Sequence, residues 1–179
     1  GGSIQVTVGT ADTAAGGIVT VTAGVSSADQ GGYIYATGGS SSASHGGQVL
    51  VTGGAVTSTV VGSFGGHVSV SGGANSAHTG GFMSLVTGAG TAKSSGSFVI
   101  KTADSGANGV SGALTFSSGV ASAKSSGEIL MGTGTSTGGK GGSIQVTVGT
   151  ADTAAGGIVT VTAGVSSADQ GGYIYATGG

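Results

Sequence analysis

Apolar residues recur along this chain in pairs two residues apart, and glycine brackets each pair. The stretch 1–15 reads GGSIQVTVGTADTAA, followed by GGIVTVTAGVSSADQ and GGYIYATGGSSSASH. Cutting at each Gly-Gly or Ser-Gly yields repeats that begin at residues 1, 16, 31, 46, 65, 80, 95, 111, 126, 141, 156 and 171. In the first nine repeats, position four holds Ile4, Val19, Ile34, Val49, Val68, Met83, Phe98, Leu114 and Ile129. Position six holds Val6, Val21, Ala36, Val51, Val70, Leu85, Ile100, Phe116 and Met131. An alternation of period two predicts a strand over positions three to eight, with these two columns facing inward as a core. The runs are too short, too β-branched and too tightly bracketed by glycine for helices.

Glycine marks two further columns. Position two carries Gly2, Gly17, Gly32, Gly47, Gly66 and Gly81, and position nine carries Gly9, Gly24, Gly39, Gly54, Gly73 and Gly88. Glycine tolerates positive φ and close backbone approach, so both columns read as corners. Positions ten to fourteen, rich in Ser, Thr and Ala, predict a second, smaller strand. The repeat from Gly46 has nineteen residues and the one from Ser95 has sixteen. The extra residues of the former, near Val56–Phe64, leave the flanking columns in phase and are expected to bulge from the second corner or second strand.

A fifteen-residue unit has no second layer of its own, whereas stacked units can hydrogen-bond above and below at ~4.8 Å. The fold expected is therefore all-β: a two-sided parallel β-solenoid (β-helix), of right or left hand, with coils of about fifteen residues and glycine corners. It would run as one continuous array over 1–179, with nine coils in 1–140. Residues 141–179 then repeat 1–39 letter for letter, so the chain reads as part of a longer periodic object. An antiparallel meander is the main structural rival.

Composition narrows the picture. With Gly 43 and Pro 0 in 179 residues, and no glycine period of three, the collagen triple helix is excluded. Only 6% of residues are charged while 37% are hydrophobic, which fits poorly with disorder. The absence of cysteine removes disulfides, thiol nucleophiles and thiolate metal sites together. A net charge of −2 leaves no electrostatic footprint for nucleic acid. No apolar run approaches the ~20 residues of a membrane span. There is no Asn-x-Ser/Thr sequon, but the many Ser and Thr hydroxyls offer sites for O-linked glycans.

The Gly-Gly-x-apolar-x-apolar-x-x-Gly unit resembles parallel β-solenoid repeats of secreted and cell-surface proteins. It is similar to the Gly/Ser/Thr-rich tandem repeats of algal and bacterial extracellular fibre or adhesive proteins. The resemblance covers the whole chain, implies an extracellular or cell-surface location, and carries over no catalytic residue. The calcium-binding nonapeptide GGxGxDxUx is absent.

Little in the sequence points to chemistry. His45, His67 and His78 fall at unrelated repeat positions and read as surface or corner residues, so no metal and no cofactor is expected. No convergent Ser, His and carboxylate set stands out, so no catalysis is expected. The outward positions three and five are more telling: Ile18, Tyr33, Tyr35, Leu50, Phe82, Val99 and Leu130 would line one flat face as a lateral interface. The function expected is a structural protein, the shaft of an extracellular filament, appendage or adhesive, self-associating laterally and end to end. The alternative is a binding protein that presents a Thr-bearing face, begun by Thr7, Thr22, Thr37 and Thr52, to ice or polysaccharide.

Overall fold

The computed structural model describes residues 2–12 and 14–178, in two segments, Gly1–Gly96 and Ser97–Gly179. Both are built by the same local rule. In each repeat an open arm covers positions three to eight. A loop then runs from position nine to position two of the following repeat, and its two ends meet at a glycine neck. The N–H of Gly32 donates to the carbonyl oxygen of Gly24 at 2.8 Å, and Gly47 to Gly39 and Gly81 to Gly73 do so at the same distance. Gly66 donates to Gly54 at 2.7 Å, Gly96 to Gly88 at 2.9 Å, and Gly172 to Gly164 at 2.8 Å. A short surface loop with adjoining ends is an Ω-type loop.

Close approach explains the glycine at position two. Gly47 lies so near the neck that a Cβ placed on it would stand 2.9 Å from the nitrogen of Gly39. A Cβ on Gly66 would stand 2.7 Å from the nitrogen of Gly54. No real Cβ survives such contacts, so at these two places any other residue would force the neck open, whereas a Cβ on Gly96 would meet nothing nearer than 3.5 Å. The glycines at position nine do not work this way. A Cβ on Gly24, Gly39, Gly54, Gly73 or Gly88 would meet nothing within 4 Å, and their part in the neck is played by their carbonyl oxygens. Positive φ is not the reason for either column, because among the described residues Gly62 alone has it, at 88°.

Position eight decides whether a neck closes, since its side chain stands across from the incoming glycine. Where that residue is Gly or Ala (Ala23, Gly38, Gly53, Gly72 and Ala163), the neck hydrogen bond forms. Among the described residues it is missing after Val8, Thr102, Ser118, Thr133 and Val148. Val8 Cγ1 sits 2.8 Å from where a Cβ of Gly17 would be, and Val148 Cγ1 fills the same place before Gly157 at 2.7 Å. Side-chain bulk there props the arms apart. Thr87 is the exception, and its neck hydrogen bond, 2.9 Å, is the longest of the six.

Neither segment has a helix or a strand among the described residues. The expected all-β parallel solenoid is therefore overturned, and the reason lies in where the backbone hydrogen bonds go. A strand needs a ladder of them, but a closed neck supplies one, an open neck none, and among the described residues the arm runs on without a second. The second strand expected at positions ten to fourteen is replaced by a sharp bend, at 27–29, 42–44, 76–78, 137–139 and 167–169 among others.

No core is enclosed either. The eighteen residues expected to face inward are all exposed in the single chain: Ile4, Val6, Val19, Val21, Ile34, Ala36, Val49, Val51, Val68, Val70, Met83, Leu85, Phe98, Ile100, Leu114, Phe116, Ile129 and Met131. The accessible surface is 17436 Å². A folded monomer of this mass would show about 7,500 Å² and its extended chain about 23,500 Å². Only Ala23, Gly38, Gly53, Thr87, Thr102 and Ala163 are half-buried among the described residues, and all six occupy position eight. The period of two nevertheless survives in the arms. Position four is the more sheltered in every repeat but the first, where Ile4 is 97% exposed: Val49 is 57% and Val68 52% exposed, against 84% for Leu50 and 89% for Phe82 at the outward positions.

The longer repeats keep the rule. The four extra residues after Gly46 are absorbed inside the loop, where Ser63 N–H donates to Val60 carbonyl oxygen at 3.3 Å around Gly62. Positive φ at the third residue of that turn is the type II requirement, which glycine meets. The neck between Gly54 and Gly66 still closes. In the sixteen-residue repeat, a turn from Gly106 to Gly109, 3.1 Å, takes up the extra residue.

Exchanging bulk at position eight should switch necks. A net hydrogen bond contributes about 1 kcal/mol, roughly a fivefold change in amide exchange. Val148→Ala is expected to slow exchange of the Gly157 amide by about that factor, and Ala23→Val to speed that of Gly32 equally. Hydrogen exchange read by NMR checks both; unchanged rates would refute the role of position eight.

Candidate functional site

Three features recur in the repeat and could do something: the turn in the loop, the apolar arm, and an aromatic pair set on two of the arms. The turn is built by position eleven. Ser26 Oγ accepts from the N–H of Ala28 at 3.3 Å and of Asp29 at 2.9 Å. Ser41 Oγ repeats this with Ala43 and Ser44, at 3.3 and 3.0 Å. Asn75 Oδ1 accepts from Ala77 at 2.9 Å and His78 at 2.7 Å. Ser136 and Ser166 occupy the same place, accepting from Gly139 at 3.1 Å and Asp169 at 2.9 Å. A short polar side chain that captures its own downstream amides competes with a ladder for them. That capture ties down the bend in these five repeats, and the same bend forms without it at 91–93, 122–124 and 152–154, after Gly90, Ala121 and Ala151.

The aromatic pair sits at positions three and five. The rings of Tyr33 and Tyr35 stack with centroids 5.8 Å apart and planes 27° apart. In the second copy, Tyr173 and Tyr175 stand 5.9 Å apart at 43°. Rings at i and i+2 meet only if both project to one side, as in extended backbone. The loop before the arm reaches over to hold the first ring: Tyr33 Oη donates to Gln30 Oε1 at 2.6 Å, and Tyr173 Oη to Gln170 Oε1 at 3.1 Å. Gln30 is fixed in turn by its own N–H, which donates to Asp29 Oδ1 at 2.8 Å.

The other outward residues, Ile18, Leu50, Phe82, Val99 and Leu130, are exposed, each on the arm of its own repeat. Thr7, Thr22, Thr37 and Thr52 are exposed as well. His45 Nδ1 lies 3.2 Å from Ser44 Oγ, and His67 and His78 are exposed without converging on it. Among the described residues no three or more of His, Cys, Asp and Glu cluster where a metal ion could be held. Among the described residues no pocket forms, and no helix is long and apolar enough to cross a membrane.

Sequence reasoning missed the pairing of position two with position eight, and the turn at position eleven. The second was signalled: Ser or Asn recurs there in six repeats, and in five of them it captures an amide two or three residues on. Comparison with known proteins found no matching family model, no matching curated protein and no matching solved structure.

Removing a turn cap should loosen its loop alone. Ser41→Ala is expected to cost about 1 kcal/mol locally and to move the amide resonances of Ala43 and Ser44, while Ser42→Ala leaves them in place. NMR of the two variants decides; equal shifts from both would remove the capping role of position eleven.

Proposed function

We propose that this chain is a structural protein of an extracellular fibre, appendage or adhesive, and that copies associate through their arms. The observation that carries the reading is the complete exposure of a regular apolar pattern. Every repeat offers apolar groups two residues apart, and none is buried among the described residues. Exposed apolar surface on this scale marks interaction surfaces. Arms whose N–H and C=O groups lack partners are templates for pairing with another chain. With 6% charged residues and a net charge of −2, little electrostatic repulsion keeps copies apart.

Two sets of arm residues serve this role. Ile18, Tyr33, Tyr35, Leu50, Phe82, Val99 and Leu130 form the lateral contact set. The position four and six residues, Val68 and Val70 among them, supply a second apolar side of the same arms. The load is shared over many weak, repeated contacts, which suits a mechanical function better than a chemical one.

Sedimentation and negative-stain microscopy of the purified chain over a concentration series test the proposal. Concentration-dependent assembly into filaments is expected. Val68→Asp combined with Val70→Asp should raise the threshold concentration at least roughly tenfold, the equivalent of about 1.4 kcal/mol. A chain that stays monomeric at every concentration overturns the reading.

A further inference from the structure

The tyrosines are placed in a way that assembly alone does not require. The chain has four, and all fall in two pairs, Tyr33 with Tyr35 and Tyr173 with Tyr175. There is no cysteine and no tryptophan, so the phenols, with Met83 and Met131, are the groups most open to one-electron or peroxide oxidation. Both rings of the first pair are well exposed, 66% and 83%, and an oxidant reaches them directly. Each pair already holds its rings about one ring-width apart, 5.8 and 5.9 Å between centroids. In each pair one phenol is steadied by a glutamine carbonyl, Gln30 or Gln170.

We propose that each tyrosine pair is a site of oxidative modification, where a peroxide acting through a peroxidase couples the two rings into dityrosine within one arm. The balance is simple. Each phenol gives up one electron and its hydroxyl proton and becomes a neutral phenoxyl radical. The two radicals join through ring carbons ortho to oxygen, forming one carbon–carbon bond. Each of those carbons then releases its hydrogen as a proton, and a proton returns to each oxygen to restore the phenol. Two electrons and two protons leave in all, and one hydrogen peroxide takes them up to become two waters.

Coupling within the pair, rather than between chains, follows from proximity. Partners tethered through one intervening residue, Ile34 or Ile174, and already stacked meet at an effective concentration far above that of a second chain. The bond closes a small ring around that residue and fixes the arm with positions three and five side by side. It thereby preorganises the surface that carries Tyr33 and Tyr35. The chemistry is independent of filament formation, because it is read on the dilute, unassembled chain.

The four lysines at 93, 101, 124 and 140, with no arginine in the chain, place the two pairs in different tryptic fragments, 1–93 and 141–179. The dilute full chain is treated with a haem peroxidase and hydrogen peroxide, then digested and weighed. The result expected is dityrosine fluorescence at a rate independent of chain concentration, with fragments 1–93 and 141–179 each lighter by two hydrogens and unlinked. Tyr35→Phe combined with Tyr175→Phe keeps both ring stacks and should abolish the fluorescence. Absence of dityrosine, or its appearance only in linked fragments or joined chains, overturns the proposal, as does coupling that survives the double substitution.

Discussion

The distance between position two of one repeat and position eight of the repeat before it governs this chain. At that point backbone meets backbone, with room for a hydrogen atom and nothing larger. At the closed necks the tightest contacts are those of the position-eight glycines, Gly53 against the carbonyl of Gly66, Gly38 against that of Gly47 and Gly72 against that of Gly81, followed by Gly66 against the nitrogen of Gly54. Once the two ends are this near, an N–H and a carbonyl oxygen come into line and the loop is tied off. When Val8 or Val148 occupies the facing place, the ends still approach but the hydrogen bond is not made. The repeat thus has one constant partner, the incoming glycine, and one variable partner that sets how firmly each loop is closed.

A neck of one hydrogen bond, helped by one capped turn, orders a loop without ordering an arm. Fixing backbone costs on the order of 1 kcal/mol per residue or more, and neither feature reaches positions three to eight. The arms are therefore left with their apolar side chains in water and their backbone groups unpaired. Both conditions are unfavourable for an isolated chain, and pairing with a second copy would relieve both. The same property that prevents a core from forming inside one molecule is what supports an assembling role for it.

Some of this organisation was legible in the residues and some was not. The repeat boundaries, the close approach at position two and the containment of the four extra residues of the nineteen-residue repeat within one loop all follow from spacing and from glycine, and the neck between Gly54 and Gly66 closes as that spacing implies. The alternation of the arm also holds: Tyr33 and Tyr35 share a side, and Val49 is more sheltered than Leu50. The solenoid failed because columns of like residues say what is similar without saying what is paired. The small residues at position thirteen predict strand, yet its amide in four repeats, that of Ala28, Ala43, Ala77 and Ala168, donates to a cap two residues earlier. Position nine was read as a corner needing glycine, but a side chain there would meet open space, and Ala103 already occupies that place in one repeat.

The tyrosine pairs show how local order and assembly can be separated in such a chain. Their rings meet because two consecutive outward positions on one arm happen to be aromatic, and a glutamine from the preceding loop steadies the first. No contact with another repeat is needed. An arm carrying such a pair has its outward side chains arranged before any second chain arrives, whereas an arm such as that of Leu50 presents a single apolar group. Ordering that is complete beforehand lowers the entropic cost of association. If arms do associate, those bearing Tyr33 and Tyr35 or Tyr173 and Tyr175 are the ones at which pairing begins with least to organise, and they recur with the 140-residue spacing of the long repeat.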